Sequence, residues 1–299
     1  MIFTCNICGA QNEVEKLATE PASCACGSNV RVRALIHLLS VELFGVSMTL
    51  SEFPRLKGIR GIGMTDKESY ASRLAEKFDY TNTHYDREPR LDVREPHPHL
   101  AGAYDFILAA DVLEHIAPPL ESALAELHRL LKPRGFLGIT IYCDPGDRTR
   151  EHYPDLNEYR VVLLGGSPVV LNRRKDGRID VHDGPILHGG TGETLEMREF
   201  GVTGLRSYLC EAGFRDLNIL TEPVPEYGIV FDHDLSQPLI ARKERYQMDR
   251  VAQDELLGLW RREAAMREQL ENRSAQLDLA DQSRWIRLGR ILGVGPKFS

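Results

Sequence analysis

The sequence predicts an α/β protein with a doubly wound, mostly parallel sheet, a small cysteine-bound segment ahead of it and a helix behind it. Three observations predict this. Tyr104–Ala110 and Phe136–Ile141 are short, mostly apolar runs, as strands buried on both faces are. Between them, Ala123, Leu124, Leu127, Leu130 and Leu131 recur at helical spacing, and Lys132, Pro133, Arg134 and Gly135 then stop the helix. A strand, a crossover helix and a second strand make a parallel unit with a right-handed connection. The third observation is that four of the six cysteines lie between Cys5 and Cys26, in a segment too short to build its own core.

The residues in and around the first of these units form a recognisable set: Tyr104-Asp105, then Asp111, Val112, Leu113, Glu114 and His115, then Leu131 to Gly135. In this order and at this spacing the stretch resembles the class I S-adenosylmethionine-dependent methyltransferases. The resemblance implies a Rossmann-like, seven-stranded sheet in which these pieces are the fourth strand, the loop bordering the cofactor and the turn before the fifth strand. It implies S-adenosylmethionine as cofactor and covers about Lys57 to Lys243. The alternative is a generic doubly wound domain with another ligand.

Composition narrows the function classes. The chain has 299 residues, 42% of them apolar and 27% charged, as in an ordinary soluble protein with one large domain and small appendages. A net charge of -7 disfavours a broad electrostatic grip on nucleic acid or an anionic membrane. No apolar run is long enough for a transmembrane segment. Met1 to Cys5 has neither the basic start nor the apolar core of a signal peptide, so a cytoplasmic location is expected and the cysteines read as metal ligands or free thiols.

Residues 1–30 read as a zinc-ribbon-like segment. Two residues separate Cys5 from Cys8 and one separates Cys24 from Cys26, and Gly9 and Gly27 follow the pairs, where a tight knuckle needs small residues. Four thiolates suffice for a closed structural zinc and leave no open position for a catalytic water. The tighter second pair keeps unpaired buried thiols as the alternative. Cys143 and Cys210 read as packing residues. Arg31–Phe44 reads as an amphipathic helix joining the ribbon to the domain, which spans 31–243.

Leu56–Thr65 should hold the first strand and its loop. The family carries an acidic, glycine-rich motif there; this chain has Gly58, Gly61, Gly63, Met64, Thr65 and Asp66. Gly61 and Gly63 lack a Cβ and so allow backbone approach to the methionine part of a cofactor, with Met64 and Asp66 beside them. The alternative is a tight strand-to-helix turn only. Tyr80–Tyr85 reads as the second strand, and the resemblance makes Asp86 the nearest candidate for the ribose hydroxyls. Pro89–Val93 resembles the third strand and adenine loop, which implies that Asp92 accepts from the adenine amine; a capping turn aspartate is the alternative.

Ala110 and Asp111 close the fourth strand, where a parallel sheet places its ligands. His115 is the candidate base, because methyl transfer to an alcohol needs a group to take its proton; a pocket-shaping role is the alternative. An insertion at 144–200 carries a hairpin with Asp176-Gly177 at its turn. The resemblance makes it an acceptor cover, with His182 and His188 as substrate residues and His152 and Asp183 nearby. Exposed histidines on a decorative hairpin are the alternative.

Residues 244–299 read as a helical tail. Leu256, Leu259, Met266, Leu270 and Leu277 fit parts of a heptad, so the helix forms either a short coiled coil joining two copies or a partner protein, or a helix packed on its own domain. Residues 283–299 are basic, with interleaved apolar residues. The expected activity is methyl transfer from S-adenosylmethionine to a small-molecule or carbohydrate-type acceptor, at oxygen. An RNA methyltransferase that reads its substrate with the ribbon, and a non-catalytic binding or scaffold protein, are the alternatives.

Overall fold

A computed structural model describes residues 1–17, 21–144, 147–188, 194–231, 238–245 and 250–282. The chain divides into two units, Met1–Tyr246 and Gln247–Ser299. In the first, β1 (Ile2–Thr4) and β2 (Gln11–Glu13) precede α1 (Val30–Phe44). Then come β3 (Arg60–Met64), α2 (Glu68–Lys77), β4 (Asp79–Thr83), β5 (Tyr104–Ala110), α3 (Leu120–Leu130) and β6 (Leu131–Thr140). The insertion contributes β7 (Cys143–Asp144), β8 (Arg150–Glu151), β9 (Glu158–Leu164), β10 (Ser167–Arg173), β11 (Ile179–Asp183), β12 (Leu187–His188), β13 (Thr194–Leu195) and β14 (Arg198–Gly201). α4 (Val202–Glu211), β15 (Asp216–Ile219) and β16 (Leu239–Arg242) complete the unit. The second unit contains α5 (Arg250–Gln282).

The central sheet has six strands among the described residues, in the order β15-β16-β6-β5-β3-β4. β4, β3, β5 and β6 pair in parallel, while β16 runs antiparallel to both β6 and β15, so the sheet is mixed. The expected seventh strand, at Pro89–Val93, shrinks to a single bridge between His84 and Arg90. Its residues turn back into side-chain bonds instead, with Arg94 bonded to Asp92 two residues before it. β16 pairs with β15, and Ile229 bridges Val224.

The faces of the sheet alternate as the pleat requires. Ile107, Ala109, Leu137 and Ile139 pack against Ala123, Leu124 and Leu127 of α3 and Leu205 and Leu209 of α4. On the opposite face Gly138 lies under Leu35 of α1. There Phe44, Phe53, Phe78 and Phe106 form a chain of ring contacts with centroids 5.1–6.1 Å apart. Phe106 also stacks on Tyr80 at 5.7 Å and Phe136 at 5.9 Å. Tyr80 and Phe106 flank Gly61 in register on either side. A Cβ at Gly61 would overlap the Phe106 ring, so this glycine is what lets one aromatic row cross β3.

The N-terminal segment docks on this unit. Asn6 donates through its side chain to the Arg33 carbonyl at 2.8 Å, and Asn6 O accepts from Leu50 N at 2.7 Å. Arg33, fully buried, donates to Ser28 O at 3.2 Å, Ser23 Oγ at 2.9 Å and Gly228 O at 2.8 Å. Its guanidinium also lies over the Phe3 ring, 4.6 Å from the centroid. No helix among the described residues is long and apolar enough to cross a membrane. Residues 283–299 lie outside the described residues.

Candidate active site

From β3 the chain winds through α2 to β4 on one side, and from β5 through α3 to β6 on the other. The crevice at the carboxyl ends of β3 and β5 is therefore the switch point where open sheets bind ligands. Thr65 (φ 61°) and Asp111 (φ 57°) each follow the last residue of these strands, and among the described residues they are the only non-glycine residues with positive φ. That conformation costs a non-glycine residue about 1–2 kcal/mol. It is held by Thr65 N donating to Thr83 O at 2.8 Å and Asp111 N donating to Thr140 O at 2.9 Å.

The Asp111 carboxylate is fixed on two sides. Oδ1 accepts from Thr140 Oγ1 at 3.0 Å, and Oδ2 accepts from Arg31 of α1 at 2.8 Å. The Arg31 side chain is 11% exposed and that of Asp111 38%, so the pair is roofed on the arginine side and half-open on the other. Glu114 lies beneath, buried, with Oε2 lacking any hydrogen-bond partner. Burial, reinforced by the Asp111 charge, pushes its carboxyl up to about 8, so it is largely protonated at neutral pH.

His115 has a defined tautomer. Its Nδ1 lies 3.0 Å from Leu195 O, and a carbonyl only accepts, so Nδ1 carries the proton and Nε2 the lone pair. Burial and the neighbouring His188 hold its pKa below the usual imidazole value, against the raising effect of the Leu195 bond. Nε2 lies 4.0 Å from Glu114 Oε1.

The insertion folds over this loop. Met197 N donates to Glu114 O at 2.7 Å. Arg198, fully buried, donates to Leu113 O at 2.8 Å, Ile116 O at 2.7 Å and Glu151 Oε1 at 2.6 Å. His188 sits beside His115, ring centroids 5.3 Å apart, with Nε2 3.0 Å from Glu196 Oε2. The other Glu196 oxygen meets His152 Nε2 at 2.9 Å. His182 stands further along this row, against Tyr153 at 5.1 Å, and Tyr153 contacts His152 at 6.0 Å. Of the two expected substrate residues, His188 therefore adjoins His115 directly, and His182 is linked to it only through Tyr153, His152, Glu196 and His188.

The expected cofactor residues are scattered differently. Gly61, Gly63 and Met64 lie inside β3 rather than in the loop after it. The space above Gly63 is filled by the Asp66 carboxylate and the Tyr80 hydroxyl. Asp66 is buried, accepting from Tyr70 Oη at 2.6 Å and from Tyr80 Oη, and burial raises it to about 6. Asp86 is exposed in the bend after β4. Asp92 is buried with both oxygens taken by Arg94, at 2.9 and 2.6 Å, which holds its carboxyl below the usual range. Ala110 ends β5 and leads into Asp111.

Arg31, Glu196 and Arg198 carry no signal in the sequence: Arg31 and Arg198 bond residues 80 and 85 positions away, Glu196 joins His188 to His152, 44 positions away, and no local spacing marks them. Glu114 had a signal, an acid set between Leu113 and His115 in an apolar loop.

Two groups implied by the fold can be tested against these residues. At the crevice, an orphaned buried carboxyl oxygen beside a half-open carboxylate fits a polar ligand such as the cofactor. In the N-terminal segment, the sulfurs of Cys5, Cys8, Cys24 and Cys26 all lie within 4.8 Å of one another, with Cys5–Cys26 at 3.7 Å and Cys8–Cys24 at 3.5 Å. Tetrahedral zinc with bonds of about 2.3 Å sets sulfurs about 3.8 Å apart, so the donor set fits. Gly9 and Gly27, at φ 78° and 81°, make the two knuckle turns.

Residues 54–137 match a family described as a methyltransferase domain. That span runs from the approach to β3 into β6 and contains Thr65, Asp111, Glu114 and His115. The chain is similar in structure to 1,6-didemethyltoxoflavin-N1-methyltransferase of Burkholderia thailandensis, solved with 1,6-didemethyltoxoflavin and S-adenosylhomocysteine (18% identity, 72% of this chain and 79% of that one, TM-score 0.41). It is similar too to the CMeT domain of the citrinin polyketide synthase (15%, 75% and 55%, TM-score 0.43). A third is an S-adenosylmethionine-dependent methyltransferase of Clostridium acetobutylicum (14%, 62% and 82%, TM-score 0.36). No curated protein matches the sequence. The family match and the crevice fall on the same stretch: residues 54–137 match a methyltransferase domain, and the carboxyl ends of β3 and β5 lie within it.

Proposed function

We propose that the protein methylates a small-molecule or carbohydrate-type acceptor at oxygen. The supporting observation is His115: neutral, proton committed to Leu195, with the Nε2 lone pair at the carboxyl end of β5 under the segment returning from the insertion. When bound, S-adenosylmethionine supplies an electrophilic methyl group on a sulfonium. Asp111, with Thr65 and Ala110 at the strand ends, holds the cofactor in the crevice. His115 Nε2 takes the hydroxyl proton of the acceptor, with the Glu114 carboxyl 4.0 Å from that nitrogen. His188, oriented by Glu196, lines the acceptor side, and β14 with residues 194–196 excludes water. An acidic chain with a separate cover suits a small hydroxylated acceptor better than a nucleic-acid track.

Two further parts complete the reading. The four cysteines hold one structural zinc, in a protein working in the cytoplasm. Leu259, Met266, Leu270 and Leu277 of α5 are exposed and spaced seven, four and seven residues apart, which supports pairing of two copies through this helix.

The test is release of S-adenosylhomocysteine from S-adenosylmethionine in the presence of pooled hydroxylated metabolites and sugars, with product mass and atom assigned. An O-methyl product lost in His115→Gln is expected. Robust methylation of ribosomal or transfer RNA would overturn the acceptor class. Cofactor binding without turnover on any pool would favour the scaffold alternative.

A further inference from the structure

Resting on the cofactor reading above, we propose that Arg31 and Asp111 together form the docking site for the amino-acid end of S-adenosylmethionine, so that the helix preceding the domain supplies part of the cofactor site. Arg31 lies in the first turn of α1, outside the span that matches the methyltransferase family. Its guanidinium nonetheless reaches the carboxyl end of β5, 2.8 Å from Asp111. The methionine end of the cofactor is a zwitterion, with an ammonium and a carboxylate on one carbon. A guanidinium and a carboxylate held side by side are its complement. The planar donor fork of arginine matches a carboxylate, and Asp111 matches the ammonium.

Three features distinguish this pair from a simple latch between helix and domain. Asp111 is placed by backbone in a left-handed conformation, which a latch does not need. Its carboxylate is the half-open one, with Thr140 fixing its second oxygen. The orphaned Glu114 oxygen lies in the same loop. The loop after β3, in contrast, offers no open acid: Asp66 is locked between Tyr70 and Tyr80, and the room above Gly61 and Gly63 is filled by protein. Recognition of the charged end of the cofactor therefore moves from that loop to α1 and β5.

The test is calorimetric titration of the full chain with S-adenosylhomocysteine and with 5′-methylthioadenosine, which lacks the amino-acid end. The wild type, Arg31→Lys, Arg31→Ala and Asp111→Asn are compared, with circular dichroism melts as a check on folding. In Arg31→Ala, S-adenosylhomocysteine should bind about 10–100-fold more weakly while methylthioadenosine stays within about twofold, a difference of roughly 1.4–2.8 kcal/mol confined to the charged end. Lysine should recover part of the loss, and Asp111→Asn should show the same selectivity. Equal losses for both ligands, or none for either, would overturn the inference and leave Arg31 as a latch. If the wild type binds neither ligand, the cofactor reading itself fails, and that result comes before any variant is compared.

Discussion

Arg198 donates to the carbonyl oxygen of Leu113 at 2.8 Å, and through that bond the strand returning from the insertion holds the loop that carries Glu114 and His115. The same nitrogen reaches Ile116 O at 2.7 Å, while Nε binds Glu151. Lysine cannot reproduce this fork. Arg198→Lys is therefore expected to cost about 2–4 kcal/mol in urea unfolding, since it leaves buried carbonyls and a carboxylate short of donors. Turnover should fall more than cofactor affinity, because the loop moved is the one bearing the proposed base. A variant with unchanged stability and kcat would show that the loop is held by other bonds.

The buried Glu114 sets a pH dependence whose sign can be worked out. Its folded value, about 8, is above its ordinary value of 4.5. The fold thus favours the protonated form: the contribution to stability is complete below pH 4.5 and is lost as pH rises to about 8. Asp66 acts in the same direction, from 3.8 to about 6. Glu114→Gln should therefore remove the loss between about pH 4.5 and 8 that Glu114 causes, while the Asp66 part, between about 3.8 and 6, stays in place. Melts at pH 8 should show the variant more stable than the wild type by about 2 kcal/mol. Parallel stability curves for the two proteins across pH 5–9 would refute the assignment.

Gly61 offers a test of packing against ligand access. A Cβ there overlaps the Phe106 ring, which is stacked between Tyr80 and Phe136. Overpacking of this kind costs about 1–3 kcal/mol. Gly61→Ala should show that loss in chemical denaturation, with cofactor affinity falling no further than the destabilisation explains. A variant of full stability that no longer binds S-adenosylhomocysteine would instead return Gly61 to the cofactor site.

How much of this was legible follows from the range of the interactions. Tyr104–Gly135 announced its strand, loop and helix because hydrophobic period and helix-stop signals are local, and the Asp176-Gly177 turn was readable for the same reason, with Gly177 at φ 86°. The cysteine cluster was readable because ligand spacing is local. The third strand that the resemblance implies at Pro89–Val93 does not form there, because Arg90 and Arg94 bind Asp92 and the chain turns. The glycines were misplaced because a sequence cannot distinguish a glycine that admits a ligand from one that admits Phe106. Arg31 and Arg198 cannot be found, since each acts on the loop after β5 from 80 or more residues away, and Glu196 cannot, since the folded insertion alone brings His152 to it.

The N-terminal segment and the crevice share one helix, and this yields a last prediction. Two residues apart on α1, Arg31 points to Asp111, while Arg33 is tied to Ser23, Ser28 and Gly228 beside the cysteines. Ser28 Oγ also lies 3.3 Å from Cys5 Sγ. If zinc holds the knuckles, its removal loosens Ser23 and Ser28, then the buried Arg33, and then the start of α1 from which Arg31 reaches the site. Metal analysis should find one zinc in the wild type and loss of it in Cys5→Ser. Chelation should weaken S-adenosylhomocysteine binding by about tenfold in the wild type. In Arg31→Ala the same treatment should change binding little, because the contact through which the ribbon acts is already gone. Equal weakening in both proteins would mean that the ribbon supports the domain as a whole rather than through this helix.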